Sequence, residues 1–151
     1  MGLLSPGRSL ITLRKHSKNS EPFLSFSLTL VIRGNDLDID WFTTYLGINP
    51  TQTYIFSGLE NEEKDNAWYY RLTADDKCQL DSVSNNFFDT IRNVGVKLVD
   101  LNNIEARIIL HVHAELAQVY FEFPEYMVDC LSQCRIPFSI SIFDWGGIMK
   151  D

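Results

Sequence analysis

The chain has 151 residues and a formal net charge of −7, and 45% of its residues are hydrophobic and 13% aromatic. That composition excludes a disordered chain and suits one globular domain with a sizeable core. No apolar run approaches the roughly 18 residues of a membrane span, and an acidic balance is expected to repel nucleic-acid phosphates.

The charge is uneven. Residues 1–20 hold Arg8, Arg14, Lys15 and Lys18 and no acid, leaving 9 basic against 20 acidic groups in the rest. The first twenty residues read as a flexible basic leader, with a single α+β domain over 21–151. The leader's apolar runs are too short for a secretory core, and Pro6 stands where a myristoylation signal needs Ser or Thr. The odd set Cys78, Cys130 and Cys134 points to free thiols in a reducing compartment, so a cytoplasmic location is expected.

In "FLSFSLTLVIR", Leu24, Phe26, Leu28, Leu30 and Ile32 alternate with Ser25, Ser27, Thr29, Val31 and Arg33. A period of two predicts a half-buried strand. Asp36, Asp38 and Asp40 then precede "WFTTYLGI", where an aspartate is the natural N-cap and Gly47 the left-handed stop. "TYIFSGL" and "AWYYRLTA" predict an antiparallel pair joined by the charged loop "ENEEKDN". Leu80, Val83, Phe87, Ile91, Val94 and Leu98 recur at steps of three and four, which predicts the strongest amphipathic helix, ended or kinked at Gly95, with Leu98 and Leu101 keeping the period for one more turn. "ARIILHVHAEL" and "QVYFEF" predict a strand hairpin. Pro124 and Glu125 open a helix over "PEYMVDCLSQCRI", with Met127, Cys130, Leu131 and Cys134 inward. "PFSISIFDWGG" closes the chain as a strand. The order β-α-β-β-α-β-β-α-β predicts a mainly antiparallel sheet, related to ferredoxin-like folds, with helices on one face. Ser27, Thr29, Arg33, His111, His113, Glu115, Ser139 and Ser141 are expected on the face the helices leave open.

An early strand ending "IRGNDLD", then "WFTTYLGINPT", Gly58, Trp68, a long helix, a strand pair, "FPEYMVDCLSQC" and a closing strand follow in a distinctive order. Over about residues 23–144 the chain resembles the uncharacterised, mostly bacterial domain of unknown function 4279 family. That resemblance brings no established activity or cofactor. It implies at most an immunity-type role, a protein that binds and neutralises a bacterial toxin.

The chemistry in the residues is sparse. His111, His113 and Glu115 point the same way on a strand, and two imidazoles at that spacing can converge on one zinc. A catalytic zinc needs a third ligand and an open position, and the folded part holds no other histidine. Ser139 or Ser141 with a histidine lacks the strained nucleophile turn of a hydrolase. "DWGG" lacks the following helix that a phosphate cradle requires. The reading is therefore a non-catalytic protein-binding domain without a cofactor. Its partner is another protein, such as a basic toxin, and neither nucleic acid nor membrane. The binding candidates are Tyr69, which alternates away from Trp68 and Tyr70, and the loop acids Glu60, Glu62, Glu63 and Asp65. The other class is a metal-binding module or metal-dependent enzyme on His111 and His113. Trp41, Tyr45, Trp68 and Tyr70 are expected mainly in the core.

Overall fold

The computed structural model describes residues 24–59, 64–114 and 121–144. The basic leader, the loop acids Glu60, Glu62 and Glu63, and Glu115 lie outside the described residues.

The expected α+β architecture is present. Its elements are β1 (Leu24–Gly34), α1 (Ile39–Leu46), β2 (Gln52–Tyr54), β3 (Asn66–Ala74), α2 (Lys77–Ile91), α3 (Val94–Leu98), β4 (Ile104–Ala114), α4 (Glu125–Cys134) and β5 (Phe138–Asp144). The sheet runs β2-β3-β1-β4-β5. Strand β1 is antiparallel to both β3 and β4, β2 is antiparallel to β3, and β5 lies parallel to β4. A parallel neighbour needs a crossover, and α4 supplies it between β4 and β5.

Period-two patterning sets the register. Phe26, Leu28, Leu30 and Ile32 of β1 face the helices, beside Trp68 and Ala74 of β3 and Ile108, Leu110, Val112 and Ala114 of β4. Leu80, Phe87, Phe88 and Ile91 of α2, Phe42 and Leu46 of α1 and Met127 of α4 join them in one buried cluster. Each large side chain sealed there contributes roughly 1.5–3 kcal/mol of hydrophobic stabilisation, offset by the entropy of ordering it. Phe88 is buried beside Phe87 in an edge-to-face pair, four residues after buried Ser84 and three before Ile91 on the same stripe.

The helix ends follow local chemistry. The Asp38 carboxylate accepts from the Trp41 N–H at 3.0 Å, and Gly47 follows α1 at φ 69° with its N–H on the Thr43 carbonyl. That positive φ is open to glycine at little cost. The Asp76 carboxylate caps α2 in the same way, accepting from the Gln79 N–H at 3.0 Å.

Three expectations change. The long helix breaks at Arg92–Asn93, before Gly95, and Gly95 lies inside the short helix α3. Gly95 is there for a close approach: a Cβ at this position would come within 2.1 Å of the Cys134 carbonyl oxygen. The strand expected over "TYIFSGL" shrinks to Gln52–Tyr54, and Ile55 and Leu59 beyond it are exposed. Residues 121–123 of "QVYFEF" form no strand. Phe121 instead packs edge-to-face on Phe26 and on Phe123, and Phe123 packs on Phe138. Residues 118–120 of that stretch lie outside the described residues.

Candidate functional site

The helices cover one face of the sheet, so the site begins with what the other face carries. Four rows of side chains cross it. Gln52, Tyr69, Val31 and Arg107 form one; Arg71, Thr29, Ile109 and Ser139 the next; Thr73, Ser27, His111 and Ser141 a third; Ser25, His113 and Phe143 a fourth. Arg33 and Glu105 pair at the opposite end. The expected open-face residues within the described part are thus all on one surface.

That surface is not uniformly wet. Thr29 is 0% exposed and Ser27 is also buried, although no helix among the described residues covers them. Their neighbours close over them. The Arg71 guanidinium crosses β1 and its Nε donates to the Thr29 hydroxyl at 2.9 Å. A buried hydroxyl left without a partner costs about 1–3 kcal/mol, so this bond meets a real demand. Arg107 spans β4 and β5, donating to Ser139 Oγ and to the Glu105 carboxylate, both at 3.4 Å. Val31, Arg33, Glu105, Arg107 and Ile109 line an open cleft of about 280 Å³, apolar on its floor and charged on its walls.

The two histidines lie together, but against a ring. Phe143 of β5 stacks on His113 at 5.0 Å between centroids and 12° between planes, and on His111 at 6.0 Å and 25°. Partial burial, then the Arg71 charge, then His113 hold the His111 imidazole below its ordinary pKa. Glu115, the expected third member, lies outside the described residues. Among the described residues no group of three His, Cys, Asp or Glu side chains converges. No hydrogen bond among them joins Ser139 or Ser141 to either histidine; Ser139 is held by Arg107 instead. Phe143 was legible in principle, because it shares the parity of Ser139 and Ser141.

The acidic-loop candidates separate from this face. Asp65 is half-buried just before β3, four residues or ~13 Å of extended chain from Tyr69. Tyr69 is on the open face, half-buried between Gln52 and Val31, while Trp68 and Tyr70 take the helix face as expected. Trp41 departs from expectation. It is 50% exposed, stacked on Tyr45 at 4.8 Å, because it occupies the outer side of a two-turn helix. Tyr45 is held in turn, its hydroxyl donating to the Lys97 carbonyl at 2.9 Å.

On the helix side, α2 and α4 flank a cleft of about 380 Å³. At its rim the Tyr126 hydroxyl donates to the Asp89 carboxylate, and Arg92 Nη2 donates to both Asp89 and Tyr126 at 3.0 Å. Hydrogen bonding to Asp89 raises the Tyr126 pKa. Cys134 is buried and Cys130 partly so, and both are free thiols. Asp89, Arg92 and Tyr126 thus join the end of α2 to α4 at the surface.

No helix among the described residues is long and apolar enough to cross a membrane. The sequence matches one family, described as Domain of unknown function (DUF4279), over residues 24–145. No curated protein matches the chain, and no solved structure does.

Proposed function

We propose that this chain, which belongs to the DUF4279 family across residues 24–145, is a non-catalytic protein-binding domain that uses its open sheet face. The one-sided sheet carries the reading: five strands, helices on one face, and on the other a surface of Tyr69, Arg71, Arg107, His111, His113 and Phe143. Interface hot spots are rich in aromatic and arginine side chains, and this face presents both on a rigid sheet. Shallow relief suits a protein surface better than a small molecule, which needs an enclosing pocket. The immunity-type role is the specific form of this proposal, in which the partner is a toxin held inactive. An acidic loop would serve a basic region of that partner, and fast encounter would follow from charge.

Photo-crosslinking tests it. A benzoyl-phenylalanine placed at Thr73, exposed on the open face, is expected to capture a protein partner from native lysate; the same probe at Val128, exposed on α4, is not. Equal capture from both positions, or capture from Val128 alone, overturns the assignment of the face.

A further inference from the structure

The loop that leads into α1 alternates aspartate with apolar residues: Asp36, Leu37, Asp38, Ile39, Asp40, then Trp41. Its turn is fixed from inside. Leu37 is buried in the core, its N–H donates to the Gly34 carbonyl at 3.4 Å, and its carbonyl accepts from Asn66 Nδ2 at 3.0 Å. With Leu37 inward, Asp36 and Asp38 are exposed, and Asp40 is exposed in the first turn of α1. The segment before β4 forms the opposite wall, so close that a Cβ on Gly34 would stand 3.0 Å from the Asn103 carbonyl oxygen. Between the walls is a cleft of about 570 Å³, with Asp36, Asp38, Trp41 and Asn102 in its lining beside the apolar Leu37 and Phe42. Trp41 is half exposed there. One face of its indole stacks on Tyr45, whose hydroxyl is anchored on the Lys97 carbonyl, so the ring is fixed and its other side is open. The charge around it is not neutralised. The ion pairs among the described residues are Arg92–Asp89 and Arg107–Glu105, so none of Asp36, Asp38 and Asp40 meets a cation among them. Lys97 approaches the Tyr45 ring at 5.7 Å, but it donates to the Tyr45 and Leu46 carbonyls at the other end of α1. Asp38 caps the helix through Oδ1 and keeps Oδ2.

We propose that this cleft binds an arginine side chain from a basic segment of a partner protein, with its guanidinium on the open face of Trp41 and its N–H groups on the carboxylates of Asp36 and Asp38. A guanidinium is the cation that can do both: it stacks on an indole and donates to carboxylates in a planar fork. A lysine ammonium keeps the charge and loses the fork. A neutral, hydroxyl-rich ligand could use the ring but would gain nothing from the charge of three carboxylates, and a metal ion would need a convergence of acids that the described residues do not show. The acidic surroundings speed encounter with a basic segment. The cleft is at the end of the sheet where β1 stops and β4 starts, on the side of α1. It is therefore a second docking point, separate from the open face and independent of it.

The test titrates the isotope-labelled full chain with three hexapeptides, repeats of Arg-Gly, of Lys-Gly and of Gln-Gly, and follows the NMR signals of the Trp41 indole N–H and the Asn102 side-chain amide. The Arg-Gly peptide is expected to shift both signals while that of buried Trp68 stays, with an affinity that falls as salt rises. The Lys-Gly peptide should bind less tightly and the Gln-Gly peptide not at all. Trp41→Ala keeps every charge and should weaken the Arg-Gly peptide about threefold or more, read at Asn102. Asp36→Asn combined with Asp38→Asn preserves an N-cap and should weaken it about tenfold. Asp81→Asn combined with Asp129→Asn removes as much charge from exposed sites on α2 and α4 and should leave binding unchanged. Equal weakening by the two Asn pairs, or unchanged binding in Trp41→Ala, reduces the effect to general acidity and overturns the proposal. So does a Trp41 response to maltotriose in place of the peptides, which assigns the cleft to carbohydrate. Peptide binding that appears only when Arg8, Arg14, Lys15 and Lys18 are all changed to Gln also overturns it, and assigns the cleft to the chain's own basic leader, from the same or a second copy.

Discussion

Strand β1 belongs to both faces of the sheet, and its two sides are sealed by different means. On one side Phe26, Leu28, Leu30 and Ile32 are covered by side chains from α1, α2 and α4. On the other, Thr29 is as completely buried as Leu30, yet its cover is the arm of Arg71 and the side chains of β3 and β4. Burial on the helix side comes from other elements and is lost only when the domain opens. Part of the cover on the open side is the charged arm of Arg71, which can move aside without unfolding anything. A surface with a removable polar cover over a rigid floor is suited to exchanging that cover for a partner's groups.

Substitutions should separate the two modes, beginning with the largest effect. Trp68 is fully buried on the helix side, edge-to-face with Phe42, and its indole N–H donates to Thr43 Oγ1 at 3.2 Å. Trp68→Ala should cost about 3–5 kcal/mol in urea or guanidinium unfolding. Gly95→Ala comes next. Alanine would favour a helix by about 1 kcal/mol, but its Cβ meets the Cys134 carbonyl at 2.1 Å. Backbone cannot retreat like a flexible side chain, so a net loss of about 1–3 kcal/mol is expected. A neutral or stabilised Gly95→Ala would mean that α3 and α4 are not pressed together as described.

On the open side the effects should be smaller and coupled. Arg71→Met keeps the covering stem and removes the donor to Thr29. About 1 kcal/mol should be lost, and Thr29→Val in the same chain should recover part of it. Purely additive losses in that double-mutant cycle would show that the bond does not hold the cover.

The smallest effect is in titration. The His111 imidazole is below its ordinary 6.5 through burial, Arg71 and His113. Above 6.5 it is neutral folded or unfolded and contributes nothing. As pH falls through 6.5 the unfolded chain takes up the proton first, so stability is lost until the folded imidazole also titrates. His111→Gln should therefore lose less stability than the native chain between pH 7 and 5. Arg71→Met should move the His111 resonance titration upward, towards 6.5. An unchanged midpoint would place the guanidinium away from the ring.

Much of this division was legible in the residues. Alternation in β1 and β4 assigned Ser27, Thr29, Arg33, His111 and His113 to the open face, because strand parity is strict. Asp38 and Gly47 marked α1 through cap chemistry that is local. What depended on neighbours was not legible. Nothing in "HVHAE" indicates that Phe143 will cover both imidazoles, since that follows from β5 pairing parallel to β4. Arg71 falls on the open face by parity with Tyr69 in "YYRLTA", but only the register with β1 sets its Nε on Thr29. Gly95 read as a breaker because local propensity penalises it, whereas packing against Cys134 explains its presence inside α3. The exposure of Trp41 reflects how little of the core a two-turn helix can reach.

The first strand occupies the middle of the sheet, and this has a consequence for synthesis. β1 has both of its partners downstream, and its pairing with β4 runs from Gly34 with Ile104 to Leu24 with Ala114. At roughly 5–20 residues per second, the ~80 residues between Gly34 and Ala114 take about 4–16 s to emerge. Throughout that interval β1 has at most β3 beside it, with its other edge and its apolar side waiting. The domain therefore closes late, from the middle outward, and a nascent chain stalled before β4 would present its most hydrophobic strand half-paired.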